Sequence, residues 1–358
     1  MNKQEKELFF ELCNFNYPSK EILSALLPQN ATPAVLGELF FNRMAGIAYG
    51  VLKETELLGK VNREFRNALH NAYLQNIEKN ESYFKCIDML QYVLRHEQQK
   101  LVMLKGALLC SAYPPGYRTS NDIDLLIHAN HISTLSYVLS AAGFKQGHLR
   151  NGKFVPATRA EIITSKMTRG ETVPYIAEVN LPYMRYVEVD INFSLDYKND
   201  NSETVSKMIQ SGTVEAIPKT TIRTLQPSDF FIHLCQHLYK EATTLPWVKM
   251  KRDMTLYKFT DINLLLFSMD KKQVNNMFDR AQELGLEKVC ATVILWTEAL
   301  LKRYNPIALE RAKEILNGHE NMLHEVISPE EKKTYVYQNK DIRARFFAKN
   351  RASLLKEV

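Results

Sequence analysis

The sequence contains no run of about 18 consecutive apolar residues, the length that a helix needs to cross a bilayer. We therefore expect no membrane span. The first seven residues are mostly charged or polar and the apolar run after them is short, so we expect no secretory signal peptide either. Net charge is also low, because +6 over 358 residues is far below the basic density of a dedicated nucleic-acid-binding protein. These absences favour a cytoplasmic protein that does not act at a membrane.

Cysteine is scarce as well. The five cysteines are odd in number, widely spaced and set mainly in apolar segments, at Cys13, Cys86, Cys110, Cys235 and Cys290. This distribution predicts reduced packing residues rather than a disulfide framework or a zinc site.

Two aspartates alternate with apolar residues in a short segment. Asp122 and Asp124 flank Ile123, and side chains two residues apart in a strand share one face. Like charges held that close repel one another unless a cation lies between them, and Mg²⁺ prefers carboxylate oxygens. The pair therefore predicts a metal site. An isolated Asp-x-Asp at a strand end is, however, more often a solvated turn or edge.

A glycine precedes this pair. An apolar run ends in Lys105-Gly106, sixteen residues before Asp122. Glycine lets a backbone approach a bulky anion closely, and phosphate-binding sites use it in this way. A glycine at a strand end is on its own more often a turn residue. With the aspartate pair downstream, the combination of metal and phosphate predicts a nucleotide.

A second acidic strand lies further along the chain. In residues 186–193, Glu188, Asp190 and Asn192 alternate with apolar residues and so share one face. Either Glu188 or Asp190 fits as a third carboxylate, and the alternation alone does not choose between them. Three carboxylates form a cage for two Mg²⁺ ions, which activate an attacking hydroxyl and stabilise a pyrophosphate leaving group.

These motifs resemble the nucleotidyltransferase family protein, a largely uncharacterised bacterial group within the polymerase-beta-like nucleotidyltransferase superfamily. The resemblance implies an α+β (mixed α/β) fold, in which a nucleotidyltransferase core lies between helical N-terminal and C-terminal regions. It spans roughly residues 30 to 305 and is carried by residues 104–107, 118–127, 143–144, 225–238 and 259–262.

The resemblance also implies roles for individual residues. Asp122, Asp124 and Asp190 match its catalytic carboxylates, which hold Mg²⁺ or Mn²⁺. Two positions depart from its pattern: Ala107 stands where glycine or serine is usual, and Asn192 stands where relatives tend to carry histidine. The implied nucleotide-binding positions are Lys105, Gly106, Ala107, Arg118, Ser120 and Asp261.

The implied activity is transfer of a nucleoside monophosphate from an NTP, with ATP as the first choice, to a small-molecule or peptide acceptor with release of pyrophosphate. Two alternatives stay open at this point. One is a toxin-like nucleotidyltransferase that modifies tRNA or a protein, and the other is a catalytically silent nucleotide-binding module.

Several residues admit two interpretations. Arg118 is either a phosphate-binding guanidinium or a donor that pins its own loop. Asp261 either orients the nucleotide or caps its helix. His233 and His237 share a helix face, but no third metal ligand is apparent, so we expect them to pack or to line the cleft.

A chain of this length predicts two or three domains. We divide it into a helical N-terminal region (1–95), a catalytic core (96–222), a helical C-terminal domain (223–329) and a basic tail (330–358). The tail is a docked helix, a partly ordered segment or a substrate-binding arm. Hairpins and a loop are expected over 144–182. Apolar periodicity, with glycine and proline at the boundaries, predicts helices over 131–142, 228–242, 255–268, 271–284, 287–304 and 306–317.

Overall fold

The computed structural model describes residues 1–195, 202–303 and 305–358. The chain divides into two compact units. The first comprises Met1–Leu36 and Ala45–Phe230, and the second comprises Gly37–Met44 and Phe231–Val358. An eight-stranded sheet lies in the first unit and a three-stranded sheet in the second, each accompanied by helices, so the predicted α+β class is confirmed. The four-part division drawn from the sequence stays a prediction.

The N-terminal part of the first unit is helical, as the sequence predicts. The longest of its helices, of 31 residues, begins where the Asn62 side chain accepts a hydrogen bond from the Phe65 amide. That contact satisfies one of the amides that every helix leaves open at its start. The five helices are α1 (Lys3–Leu12), α2 (Lys20–Asn30), α3 (Pro33–Phe41, whose end lies in the second unit), α4 (Ala45–Glu54) and α5 (Arg63–Val93).

The sheet follows, with its strands in the spatial order 4-3-5-6-2-1-8-7. Strand 2 is parallel to strand 6 and strand 1 is parallel to strand 8, and the other neighbours are antiparallel. The elements are β1 (Leu101–Met103), α6 (Lys105–Ala112), β2 (Asp122–Ile127), α7 (Ile132–Ala141), β3 (Lys145–Arg150), β4 (Lys153–Pro156), α8 (Arg159–Thr168), β5 (Tyr175–Leu181), β6 (Met184–Asn192), α9 (Ser202–Gln210), β7 (Thr213–Ile217), β8 (Thr220–Thr224) and α10 (Pro227–Ala242), which continues into the second unit.

One face of β2 and β6 is apolar and buried in the main hydrophobic cluster. The alternate residues that fill it include Ile123, Leu125, Val187, Val189 and Ile191. Because side chains alternate along a strand, burial of these residues fixes the acidic residues between them on the opposite face. The core therefore determines where the carboxylates lie.

Residues 144–182 differ in part from the prediction. The expected hairpins are present, but α8 lies between them and was predicted as loop. The helix begins with a capping box, in which Thr158 Oγ1 accepts from the Glu161 amide and the Glu161 carboxylate accepts from the Thr158 amide. This Thr-x-x-Glu signature is readable in the sequence and stabilises a helix start although the helix buries little apolar surface.

The second unit is mainly helical, and the five helices predicted between 228 and 317 are confirmed within a few residues. The end of the chain adds three strands in the order 11-10-9. The elements after α10 are α11 (Leu245–Lys249), α12 (Leu256–Phe267), α13 (Lys271–Glu283), α14 (Glu287–Leu301), α15 (Pro306–Leu316), β9 (Glu325–Ser328), β10 (Lys333–Tyr337), α16 (Ile342–Phe346) and β11 (Leu355–Glu357).

The basic segment 330–358 is folded into the second unit. Arg351 is buried and donates to Asp253 at 2.5 Å. Arg345 is also buried, with its guanidinium 4.3 Å from the ring centroid of Tyr337 and 5.4 Å from that of Trp296. Two cations of the predicted tail are therefore core residues of this unit and are not presented to solvent.

Two predicted absences can be compared with the structure. All five cysteines are buried and none forms a disulfide, which confirms the expected packing role. Across the described ranges, no helix is both long and apolar enough to cross a membrane.

Candidate metal and nucleotide site

The acidic residues of β2 and β6 are brought together by strand register. The two strands are parallel neighbours, and Asp124 lies directly opposite Asp190 while Asp122 lies opposite Glu188. Opposed residues of a strand pair project from the same face of the sheet. Four carboxylates consequently share one small area of the sheet.

Three of these carboxylates converge. Asp122, Asp124 and Asp190 each offer one oxygen, and these oxygens lie within 4.8 Å of one another. Among the described residues, this is the only group of three or more acidic, histidine or cysteine side chains with such spacing, and Glu188 is not part of it. The second oxygen of Asp124, Oδ2, is buried and has no hydrogen-bond partner in the described part of the chain.

The charges in the cluster oppose one another. Burial, together with the charge of Asp122, raises the pKa of the Asp124 carboxyl to about 6 although the Lys105 ammonium acts in the other direction. Burial and the charges of Asp124 and Asp122 raise the pKa of Asp190 well above its usual range. The pKa of Glu188 is also raised, first by burial and then by the two aspartates. A cation among these groups would relieve both the burial cost and the repulsion.

The start of α6 supplies positive potential beside the cluster. Lys105, its first residue, places Nζ 3.4 Å from Asp124 Oδ1. The preceding residue, Leu104, makes no side-chain cap, so no side chain satisfies the first amides of the helix in that way. Helix starts with open amides favour anions such as phosphate.

The two small residues at the start of α6 are closely packed. A Cβ added at Gly106 would be 2.5 Å from Tyr83 Oη and 2.8 Å from Ser120 Oγ. Glycine is therefore required here by close packing, in addition to any role at a phosphate. The neighbouring Ala107 is buried in the hydrophobic cluster.

Two predicted nucleotide-binding residues make contacts within their own loop. Ser120 Oγ donates to Asp122 Oδ1 at 2.9 Å. Arg118 is buried, and its guanidinium donates to the Thr119 carbonyl. These contacts correspond to the loop-pinning interpretation of Arg118. The nucleotide-binding roles of both residues stay predictions.

The remaining predicted positions lie in the second unit. Asp261 is buried on α12. The rings of His233 and His237 are 6.3 Å apart on α10, and His237 Nε2 is 3.5 Å from Glu241 Oε1. Neither histidine belongs to a group of three potential metal ligands among the described residues.

One acidic residue near the cluster was missed by the sequence analysis. Glu171 forms an isolated antiparallel bridge with Asn192, which continues the acidic face of β6. Its charge raises the pKa of Asp124 and of Asp190. Its partner is Arg169, at 2.8 Å. The bridge joins segments about twenty residues apart, so the local periodicity of the sequence does not predict it.

A family model described as "Uncharacterised nucleotidyltransferase" matches residues 32–302, which is well over half of the chain. A comparison with curated proteins gives no match.

Proposed function

The chain belongs to the family of uncharacterised nucleotidyltransferases, and from this premise we propose that it transfers a nucleoside monophosphate from an NTP to an acceptor with release of pyrophosphate. ATP is the first choice of nucleotide, and a small molecule or peptide is the first choice of acceptor. We also propose that the first unit contains a polymerase-beta-like core. The observation that carries the proposal is the convergence of Asp122, Asp124 and Asp190.

The chemistry of this cluster fits Mg²⁺ or Mn²⁺. Its donors are all hard carboxylate oxygens, which these cations prefer. The buried Asp124 Oδ2 has no hydrogen-bond donor in the described chain, and such an atom is costly unless something pairs with it. Two divalent ions bound there would act as Lewis acids toward the phosphate oxygens.

The protein's own residues have separate roles in this proposal. Lys105 and the start of α6 bind the triphosphate, since both present positive potential beside the cluster. Asp190 accepts the proton of the acceptor hydroxyl, because its carboxylate converges with those of the two β2 aspartates at the reacting centre. The acceptor oxygen then forms a bond to the α-phosphorus, and the bond from that phosphorus to the bridging oxygen breaks as pyrophosphate leaves.

The alternatives gain less support. The basic composition of residues 330–358 gives the tRNA-modifying alternative some weight, but Arg345 and Arg351 of that segment are buried. The silent-module alternative requires loss of the carboxylates, and all three are present and converge.

The proposal is tested by metal-dependent binding and transfer. Mg²⁺ or Mn²⁺ with an NTP should raise the melting temperature, and a chelator should abolish the rise, because a ligand of the folded state stabilises it by mass action. Cell extract incubated with the protein and labelled NTPs should yield a labelled product detectable by mass spectrometry.

Matched variants separate chemistry from folding. Asp122→Asn and Asp124→Asn keep side-chain volume and should each reduce transfer on the order of a thousandfold, since several kcal/mol of transition-state stabilisation is lost. Asp88→Asn, at an exposed position of α5, makes the same chemical change away from the cluster and should leave both readouts intact. A melting curve unchanged by every NTP and metal would contradict the assignment.

A further inference from the structure

Helix α5 carries a row of hydrogen-bond donors toward the loop that precedes β2. Asn76 Nδ2 donates to the Gly116 carbonyl at 2.9 Å, and Asn80 Nδ2 donates to the Arg118 carbonyl at 2.8 Å. The two asparagines are four residues apart, so they lie on one face of the helix. That face therefore holds two successive points of the loop by its backbone.

Tyr83 extends the row to the first residue of the metal cluster. It lies seven residues after Asn76, on the same helix face. Its Oη donates to the backbone carbonyl of Asp122 at 2.9 Å. From the other side, Ser120 Oγ donates to the Asp122 carboxylate at 2.9 Å. Both the backbone and the side chain of this aspartate are therefore fixed by protein donors.

The hydrogen bonds of these donors are shielded from water. Tyr83 is fully buried and Asn80 is buried, so water does not readily replace their hydrogen bonds. The packing around them is also tight, because even a single Cβ added at Gly106 would overlap Tyr83 Oη and Ser120 Oγ. A displacement of the aspartate would have to move several buried groups together.

We propose that Asn76, Asn80 and Tyr83, which we name the α5 clamp, are positioning residues for Asp122. Tyr83 holds the backbone carbonyl of Asp122, and Asn76 and Asn80 hold the loop that leads into it, so that the Asp122 carboxylate stays within reach of Asp124 and Asp190. The long N-terminal helix thus determines the geometry of the metal cluster. This inference rests on the proposed function, since it concerns the same cluster.

A merely structural role makes a different prediction from a positioning role. A structural contact lowers the melting temperature and leaves Mn²⁺ affinity unchanged in the fraction that is folded. A positioning contact lowers Mn²⁺ affinity at temperatures where the variant is fully folded, because groups that orient metal ligands typically contribute about 10- to 100-fold in affinity. Electron paramagnetic resonance measures that affinity, and its line shape reports the symmetry of the bound ion.

The deciding variant is Tyr83→Phe, which removes one hydroxyl from the intact chain. We expect Mn²⁺ affinity to fall about tenfold or more, with an altered line shape and an unchanged circular dichroism spectrum. Asn80→Ala should do the same, and if it fails to fold, Tyr83→Phe alone decides. Tyr92→Phe, on the same helix but exposed, is the matched control and should bind as the parent does.

Two results would overturn the inference, and they can be told apart. If Asp122→Asn abolishes Mn²⁺ binding while Tyr83→Phe binds as tightly as the parent, the clamp does not position the aspartate and the proposed function stands. If the parent protein binds no Mn²⁺ at all, the proposed function fails and the clamp hypothesis fails with it.

Discussion

Asp124 on β2 and Asp190 on β6 are register partners in a parallel strand pair, so two carboxylates face each other across a buried part of the sheet. Asp124 is buried and Asp190 is half-buried. In the metal-free protein burial and the charge of Asp124 raise the pKa of Asp190, while burial and the charge of Asp122 raise the pKa of Asp124 and Lys105 offsets only part of that rise. The pair is therefore unfavourable in the metal-free state at neutral pH, which has a measurable consequence for stability.

We expect the metal-free protein to lose stability as pH rises through about 6. The folded pKa of Asp124, about 6, lies above the unfolded value of about 3.9, so the folded state binds more protons between these values. Its contribution, on the order of 3 kcal/mol for a difference of about two pKa units, is fully present below about pH 4 and is lost above about pH 6. Urea unfolding in chelator across this pH range measures the loss. Asp124→Asn should make the free energy of unfolding depend less on pH. Equal slopes in parent and variant would contradict the expectation.

The second prediction concerns the choice of third carboxylate. Asp190→Asn should reduce nucleotidyl transfer strongly, on the order of a hundredfold or more, because its oxygen converges with those of the two β2 aspartates. Glu188→Gln should reduce it much less, since Glu188 lies opposite Asp122 but outside the cluster. Transfer rates of the two purified variants at equal folded fraction provide the measurement. The reverse ranking would assign the third ligand to Glu188.

The convergence of the three carboxylates was predictable because the pattern that produces it is local in the sequence. The strict alternation around Asp122 and Asp124, and again around Asp190, fixes a shared face once the apolar partners are buried. The helices between 228 and 317 were predictable for the same reason, since their apolar periodicity and the residues that begin and end them lie within each segment.

The α5 clamp was not predictable from local pattern. Asn80 and the Arg118 carbonyl are 38 residues apart, and every residue has a backbone carbonyl, so the sequence does not show which one accepts.

The burial of the two arginines in the C-terminal segment was not predicted, for a different reason. Arginine is almost never fully buried unless it is paired, and the partners of Arg351 and Arg345, Asp253 and Trp296, are distant in sequence.

The third prediction tests that buried pair. Arg351→Met should destabilise the protein by about 3 to 5 kcal/mol, because it leaves Asp253 buried without its cation. The double variant Asp253→Asn, Arg351→Met should recover part of this loss, since the stranded charge is gone. Arg311→Met, at an exposed ion pair with Glu314, is the matched control and should change stability by less than about 1 kcal/mol. Chemical unfolding measures all three. A loss of stability in Arg351→Met as small as that of the control would show that the buried pair contributes little to the free energy of unfolding.

The last prediction isolates the close approach at Gly106. Gly106→Ala should destabilise the protein by about 1 to 3 kcal/mol, because its Cβ would lie 2.5 Å from the hydroxyl oxygen of the fully buried Tyr83, which has no space to swing aside. Gly59→Ala, where an added Cβ meets nothing within 4 Å, should cost nothing comparable and is the matched control.

A double-mutant cycle with Tyr83→Phe identifies the cause. Removing the hydroxyl takes away the nearest atom that the new Cβ meets, so Gly106→Ala should cost less in the Tyr83→Phe background than in the parent, by about 0.5 kcal/mol or more. Chemical unfolding of the four proteins gives this interaction free energy directly. Strict additivity would mean that the hydroxyl is not what excludes a side chain at position 106, and the requirement for glycine would then have to come from Ser120 or from a bound phosphate.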